Sequence, residues 1–301
     1  MSEPKVIIGL PVYNGQKYLG AAIESHLSQS FGDFHLVISD NGSTDATPEI
    51  CADYASKDKR LKYLRSPENR GILWNHRRVL DAIDSPNQYF RWAGADDLME
   101  SGLLQVMVEV LNSRPEVEAV VPGTKNIDDN GKIIGSMATT LDLQSPNVFE
   151  RARQVLVANY QHVIAYGLLR ASTLRLMRTG PDYIGWDPVF VWELALRGQL
   201  IQPSGPGLLR RFHPGSISRV KTVKEMRKWV EPNSKAGMNF PHWTWAYERA
   251  RALIASPMST RDRLRIGMFL ARYTSWQRAA LVRDVTQAAR RTLGLSDEYT
   301  F

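Results

Sequence analysis

The chain has one cysteine, Cys51, in 301 residues, so no intrachain disulfide and no cysteine-based metal site can form. Nowhere does an apolar run approach the roughly 18 residues that a membrane-spanning helix needs. The first residues, MSEPKVIIGLPVYNG, lack the basic-then-apolar order of a secretory leader. No internal repeat and no low-complexity tract interrupts the chain. A cytoplasmic protein, at most peripheral at the inner face of a membrane, is the expectation. What is present suits a folded enzyme-sized domain: 43% hydrophobic and 23% charged residues supply a core and exclude disorder.

The net charge of +7 is unevenly placed. From Lys221 onward there are 15 Lys and Arg against 7 Asp and Glu, which leaves the first 220 residues near neutrality. A basic tail suits an anionic partner or membrane surface. It equally suits an ordinary solvated helical face.

Strands and helices alternate through the first hundred residues. Lys5 to Leu10 (KVIIGL) reads as a buried strand stopped by Pro11, and a helix follows from about Lys17 to Ser28. His35 to Ser39 is a second strand, Thr47 to Ala55 a helix, Lys62 to Leu64 a third strand and Leu73 to Ala82 a helix. Tyr89 to Ala93 is the next strand. This order predicts βαβ units and a mostly parallel sheet. Further on, Gly102 to Asn112 carries helical spacing, Ala119 to Val121 a strand, and Asp128-Asp129-Asn130-Gly131 a tight turn before Lys132 to Ile134. A helix over Val148 to Ala158, an extended His162 to Leu169 and a short helix over Ser172 to Arg178 follow. Asp187-Pro188 opens a helix as a cap and first-turn pair. Leu208 to Phe212 is a strand running into His213-Pro214-Gly215. Thr222 to Leu295 is helical, with breaks at Pro232, Pro241 and Pro257. Residues 1–220 thus make one α/β domain and 221–301 a basic helical extension.

The segment with most chemistry is Tyr89 to Asp97, YFRWAGADD. It places two adjacent carboxylates, Asp96 and Asp97, at the carboxyl end of a strand, where open α/β sheets bind ligands. Such a pair can share a hard divalent cation with a diphosphate. Alone, it would equally serve as the cap of a following helix.

Six landmarks in order alter that balance: PVYNG after the first strand, VISDNGSTD after the second, NRG (Asn69 to Gly71), WAGADD, GWDPVFVWELALRG around Asp187, and RRFHPGS (Arg210 to Ser216). Together they resemble the family 2 glycosyltransferases, over about Lys5 to Ser218. The resemblance implies a GT-A fold, a Rossmann-like and mostly parallel central sheet flanked by helices. It implies transfer of a sugar, with inversion, from a nucleotide-diphosphate-sugar to an acceptor hydroxyl on a carbohydrate, lipid-linked or small molecule. Under it Tyr13 stacks on the nucleobase with Pro11 and Asn14 beside it, and Asp40 accepts a hydrogen bond from a base N–H. Asn69 and Arg70 lie near the donor, the cation pairing with phosphate. Asp97 is the principal ligand of Mg²⁺ or Mn²⁺, Asp96 its neighbour at the ribose or at the metal, His213 a further ligand, and Asp187 the general base. One departure stands out. Where many relatives carry a third carboxylate, two positions before Asp96, this chain has Gly94.

Other classes fit less well. A sugar nucleotidyltransferase needs a Gly-rich basic loop after the first strand, and PVYNG has a single Gly. A non-catalytic relative would be expected to lack Asp97 or Asp187, and both are present. The basic tail lacks the interleaved stacking motifs of nucleic-acid modules. The donor's base and sugar, the acceptor and the oligomeric state stay open. Trp186, Trp192, Trp243 and Trp245 are candidates for stacking on sugar rings as well as for core packing.

Overall fold

The computed structural model describes residues 5–137, 143–158, 165–178, 180–183, 185–216 and 240–293. Its first half is built as the alternating pattern dictates. β1 (Val6–Val12), α1 (Leu19–Leu27), β2 (Phe34–Asp40), α2 (Thr47–Lys57), β3 (Leu61–Arg65), α3 (Ile72–Arg78) and β4 (Tyr89–Trp92) follow one another. β5 (Leu98–Met99), α4 (Leu103–Ser113), β6 (Val117–Val120), β7 (Thr124–Ile127), β8 (Ile133–Met137) and α5 (Val148–Val157) come next. Then follow β9 (Leu168–Arg170), α6 (Ala171–Leu176), α7 (Asp187–Arg197), β10 (Gln199–Ile201), β11 (Leu208–Arg211), α8 (Pro241–Ala255), α9 (Thr260–Trp276) and α10 (Arg278–Thr292).

Seven strands form the central sheet in the order β10-β6-β9-β4-β1-β2-β3. β1 pairs in parallel with both β2 and β4, β2 with β3, and β6 with β10. β9 alone runs antiparallel, between β4 and β6. A second sheet, β5-β11-β7-β8, stands beside the carboxyl ends of the first. The sequence pattern did not anticipate it, because β5 and β7 have two and four residues and no alternation to read.

Three expectations are corrected in detail. β1 does not stop at Pro11 but runs to Val12. β4 pairs with β1 only as far as Gly9, so Pro11 lies past the ladder on that side and its missing N–H costs no hydrogen bond. The stretch expected to be extended from His162 to Leu169 is described from Ala165, with strand geometry only at Leu168–Arg170; residues 162–164 lie outside the described residues. Asp187 is the first residue of α7 rather than its cap. The N-cap position is Trp186, whose side chain makes no capping hydrogen bond.

Two apolar clusters fill the two faces of the central sheet. One gathers Ile8, Leu10, Leu19, Ile23, Leu36 and Leu104 under α1, α2 and α4. The other gathers Phe90, Trp92, Leu169, Phe190 and Trp192, and extends to Ala252 and Leu253 of α8 and Ile266 and Leu270 of α9. The described C-terminal helices therefore share the core of the sheet. The boundary expected at residue 220, the Pro232 break and the charged residues between 221 and 239 lie outside the described residues. Among the described residues no helix is long and apolar enough to cross a membrane.

Candidate active site

A cleft of about 690 Å³ opens at the carboxyl ends of β1, β2 and β4. Loop-to-loop hydrogen bonds set its walls. The loop after β1 is tied to the loop after β2 by Asn14 N–H to Ser43 Oγ (2.9 Å), Gly15 N–H to Thr47 Oγ1 (2.8 Å) and Gln16 N–H to Asp45 Oδ2 (3.1 Å). Asn14 is held at φ 51° and accepts from the Thr44 N–H in return. The NRG loop is tied in turn by Asn41, whose Nδ2 donates to Asn69 Oδ1 (2.9 Å) and whose Oδ1 accepts from the Arg70 N–H (3.0 Å). At Gly42 (φ 75°) a Cβ would come within 2.6 Å of the Glu68 backbone, so two loops can touch only with glycine there.

Pro11, Tyr13, Asn14, Asn69, Asp96 and His213 all line this one cleft. Asp40 does not. It is fully buried beneath the floor, where Oδ1 accepts from the Ser43 N–H (2.9 Å) and Oδ2 from the Tyr63 hydroxyl (2.8 Å). The next residue, Asn41, faces the cleft instead. Successive residues at a strand end point to opposite sides, which accounts for the exchange. Arg70 also stays outside: its guanidinium lies over the Trp74 ring at 4.4 Å.

The carboxylate pair does not start a helix. It leads into β5, and α4 begins only after Gly102, which removes the capping explanation. Asp97 is 7% exposed and Oδ1 accepts from the Arg211 N–H (2.9 Å). Burial, followed by the charge of Asp96, raises its pKa to about 7. Oδ2 lies against Gly94, where a Cβ would stand 2.7 Å from it and 3.1 Å from Asp96 Oδ1. A side chain at this position would press on both carboxylates. Asp96 Oδ2 is 2.9 Å from His213 Nε2, and the His213 ring packs against Tyr18 at 4.8 Å, tilted by 48°.

The second sheet supplies what the sequence reading missed. β11 pairs antiparallel with β5, placing Arg211 beside the pair. Arg211 is buried, and its side chain donates to Asp96 O (2.9 Å), Asp128 O (2.9 Å) and Asp129 O (3.0 Å) while lying over the Tyr18 ring. One guanidinium thereby joins the carboxylate pair to the β7–β8 turn. That turn is the expected Asp-Asp-Asn-Gly turn, made by Asp128 Oδ1 accepting from the Asn130 and Lys132 N–H groups. Its second carboxylate, given no functional weight from sequence, reaches the cleft wall and binds Lys17 Nζ (2.6 Å) and the Tyr18 hydroxyl.

Asp187 is placed by an aromatic cluster. Trp92, which ends β4, packs at 5.4 Å from Trp186 and 5.6 Å from Phe190, both flanking Asp187. Tyr166, half-buried on the cleft wall, has its pKa pushed up by burial first and then by the charges of Asp97, Asp96 and Asp187. Trp192 is wholly buried in the core, and Trp186 is packed on its aromatic neighbours. Trp243 is half exposed on α8, away from the cleft lining, and Trp245 packs on Gly185.

No three His, Cys, Asp or Glu side chains converge as a ready metal site among the described residues. The candidate donors are the adjacent pair, of which Asp96 lines the cleft and Asp97 lies buried behind it. Two repelling carboxylates, one pushed toward neutrality by burial, form a donor set that suits a hard cation whose other ligands are diphosphate and water.

A Rossmann-like sheet with a smaller second sheet, a cleft at its carboxyl edge and a carboxylate pair at a strand end define a GT-A architecture. The "Glycosyl transferase family 2" model matches residues 7–167, and the chain belongs to that family. It is 24% identical over 251 residues to Glycosyltransferase GlyA of Streptococcus pneumoniae, covering 79% of this chain and 36% of the relative. It is 42% identical over 105 residues to an uncharacterized glycosyltransferase of Haemophilus influenzae, covering 35% of this chain and 41% of the relative. The chain thus spans well under half of these relatives' lengths. Among solved structures, S. aureus TarS 1-349 in complex with UDP-GlcNAc superposes with a TM-score of 0.65 at 15% identity, over 95% of this chain and 81% of that one. At that identity the likeness carries the fold alone, which is GT-A.

Proposed function

We propose that the chain is a metal-dependent, inverting glycosyltransferase that binds a nucleoside-diphosphate-sugar in the cleft and passes the sugar to an acceptor hydroxyl. The observation that carries this is the gathering of Pro11, Tyr13, Asn14, Asn69 and Asp96 in one cleft at the carboxyl ends of the parallel strands. TarS has been crystallised with UDP and with UDP-GlcNAc, so a uridine donor is the first to try.

In this reading the base stacks on Tyr13, which is 41% exposed and free to close over a ring. Asn41 meets the edge of the base, while Asp40 holds the loop beneath it through Ser43 and Tyr63. Asp97, with Asp96, would hold Mg²⁺ or Mn²⁺, and His213 positions the Asp96 carboxylate. The cation, when bound, neutralises charge on the departing diphosphate. The acceptor oxygen bonds to the anomeric carbon from the face opposite the diphosphate. The bond from that carbon to the phosphate oxygen breaks, and its electrons leave with the nucleoside diphosphate. Asp187 takes the acceptor proton as the new bond forms. It sits in the first turn of α7, near the positive end of the helix dipole.

Replacement of Asp187 with Asn tests the assignment. It keeps the shape and removes the basicity. The expected result is donor binding and melting near wild type with transfer lowered about 10²–10⁴-fold. NMR of the product is expected to show the inverted anomer. Near-normal turnover, or a retained anomer, would overturn the mechanism.

A further inference from the structure

α9 has a second face that the core does not use. Its inner side is fixed to the catalytic domain: Ile266 and Leu270 are buried in the shared core, and Phe269 packs edge-on to Phe149 of α5 at 5.8 Å. At about 100° per residue the opposite side carries Arg261, Leu264, Arg265, Met268, Arg272 and Trp276 within an arc of about 120°. All six are exposed, Leu264 at 64%, Met268 at 69% and Trp276 at 50%. No Asp or Glu lies in that arc; the helix's one acid, Asp262, is in the first turn, where Ser259 holds it, outside the arc.

A merely solvated helix face mixes both signs of charge and keeps large apolar side chains inside. Here three cations alternate with Leu, Met and Trp along one exposed stripe, the Arg265 guanidinium leaning over the Phe149 ring and that of Arg272 over the Trp276 ring. Leu264 and Met268 keep most of their surface exposed, Trp276 keeps half of its own although it packs edge-on to Phe269 and Tyr273, and the arginines fix the sign of what would cover them. A second copy of the same face would be repelled by like charge. A nucleic-acid backbone would pair with the arginines and leave Leu264 and Met268 in water. An anionic bilayer surface satisfies both, with headgroup phosphates for the arginines and the acyl boundary for Leu, Met and Trp.

We propose that this face of α9 docks the enzyme on an anionic lipid surface. The helix is already folded and packed, so docking needs no ordering of a free segment. The inference is independent of the donor-site reading, since none of these residues lines the cleft.

Flotation of the full chain with vesicles tests it. The expected result is binding to phosphatidylglycerol–phosphatidylcholine vesicles, weakened by salt, and none to pure phosphatidylcholine. Replacing Arg261 and Arg272 with Gln is expected to lower that binding about 10- to 30-fold, at roughly fivefold for each arginine near the surface. Replacing Leu264 and Met268 with Ser, both highly exposed and therefore tolerated by the fold, is expected to weaken it as well. Unchanged binding in either double variant, with unchanged melting, would overturn the proposal. So would loss with the arginine pair and full retention with Leu264→Ser/Met268→Ser, which would describe a general polyanion surface. A concentration-dependent dimer abolished by Leu264→Ser/Met268→Ser would assign the face to self-association instead.

Discussion

Gly94→Ala isolates the role of space beside the carboxylate pair. Gly94 does not have a positive φ, so an alanine meets no backbone penalty there. Its Cβ would stand 2.7 Å from Asp97 Oδ2 and 3.1 Å from Asp96 Oδ1. Ordinary contact begins near 3.4 Å, so the Asp97 carboxylate must retreat by about 0.7 Å and that of Asp96 by about 0.3 Å. Neither can retreat freely, because Asp97 Oδ1 is bound to the Arg211 N–H and Asp96 Oδ2 to His213. Overpacking of this kind costs about 1–3 kcal/mol, or a fall in Tm of about 2–4 °C per kcal/mol for a domain of this size. The functional cost is expected to be larger, since a displacement approaching 1 Å at a reacting group can lower the rate about 10²-fold. Titration of nucleoside diphosphate with Mn²⁺ into Gly94→Ala is expected to show at least tenfold weaker binding with a modest drop in Tm. Wild-type binding in the alanine variant would refute the reasoning, because the pair would then not be the diphosphate and metal site. Gly94→Asp is expected to bind no better, although it restores the residue type that many relatives carry.

Arg211→Lys keeps the charge but cannot reach Asp96 O, Asp128 O and Asp129 O together; a loss of about 2–4 kcal/mol of stability is expected, read by urea unfolding, and a change under 1 kcal/mol would deny Arg211 its bridging role. His26 is buried with its pKa lowered to about 3 by burial and then by the Arg91 charge, so its contribution to stability is complete above about pH 6.5 and is lost as pH falls from there toward 3. Each unit in that window costs about 1.4 kcal/mol, and His26→Gln is expected to remove about one proton from the pH dependence of unfolding; an unchanged dependence would contradict the buried neutral imidazole.

The parallel half of the fold was legible because each βαβ unit writes its own pattern. β1 to β4 appear within a few residues of where apolar runs and turn residues put them, and α7 begins where Asp-Pro marks it. The second sheet was not legible, since β5 and β7 are too short for periodicity. The site divides in the same way. Pro11 lies at the end of β1, and Tyr13, Asn14, Asn69 and Asp96 sit on loops after strands; those strand ends and loops converge on the cleft. Arg211 and Asp129 could not be found from local pattern. Arg211 acts on residues more than eighty positions away, and Asp129 is masked by its neighbour's turn chemistry. Asp40 and Asn41 show the limit of motif reading at single-residue resolution: the strand-end alternation buries the first and turns the second into the cleft.

The central claim is that a cation and a nucleoside diphosphate share Asp97. Calorimetric titration of UDP, GDP, CDP, ADP and dTDP, each with and without Mn²⁺, into wild type and Asp97→Ala tests it most directly. The account predicts that at least one nucleotide binds wild type in a metal-dependent manner and that Asp97→Ala, still folded, loses that metal dependence. Equal metal-dependent binding by both proteins, or no nucleotide bound by wild type at all, would contradict it.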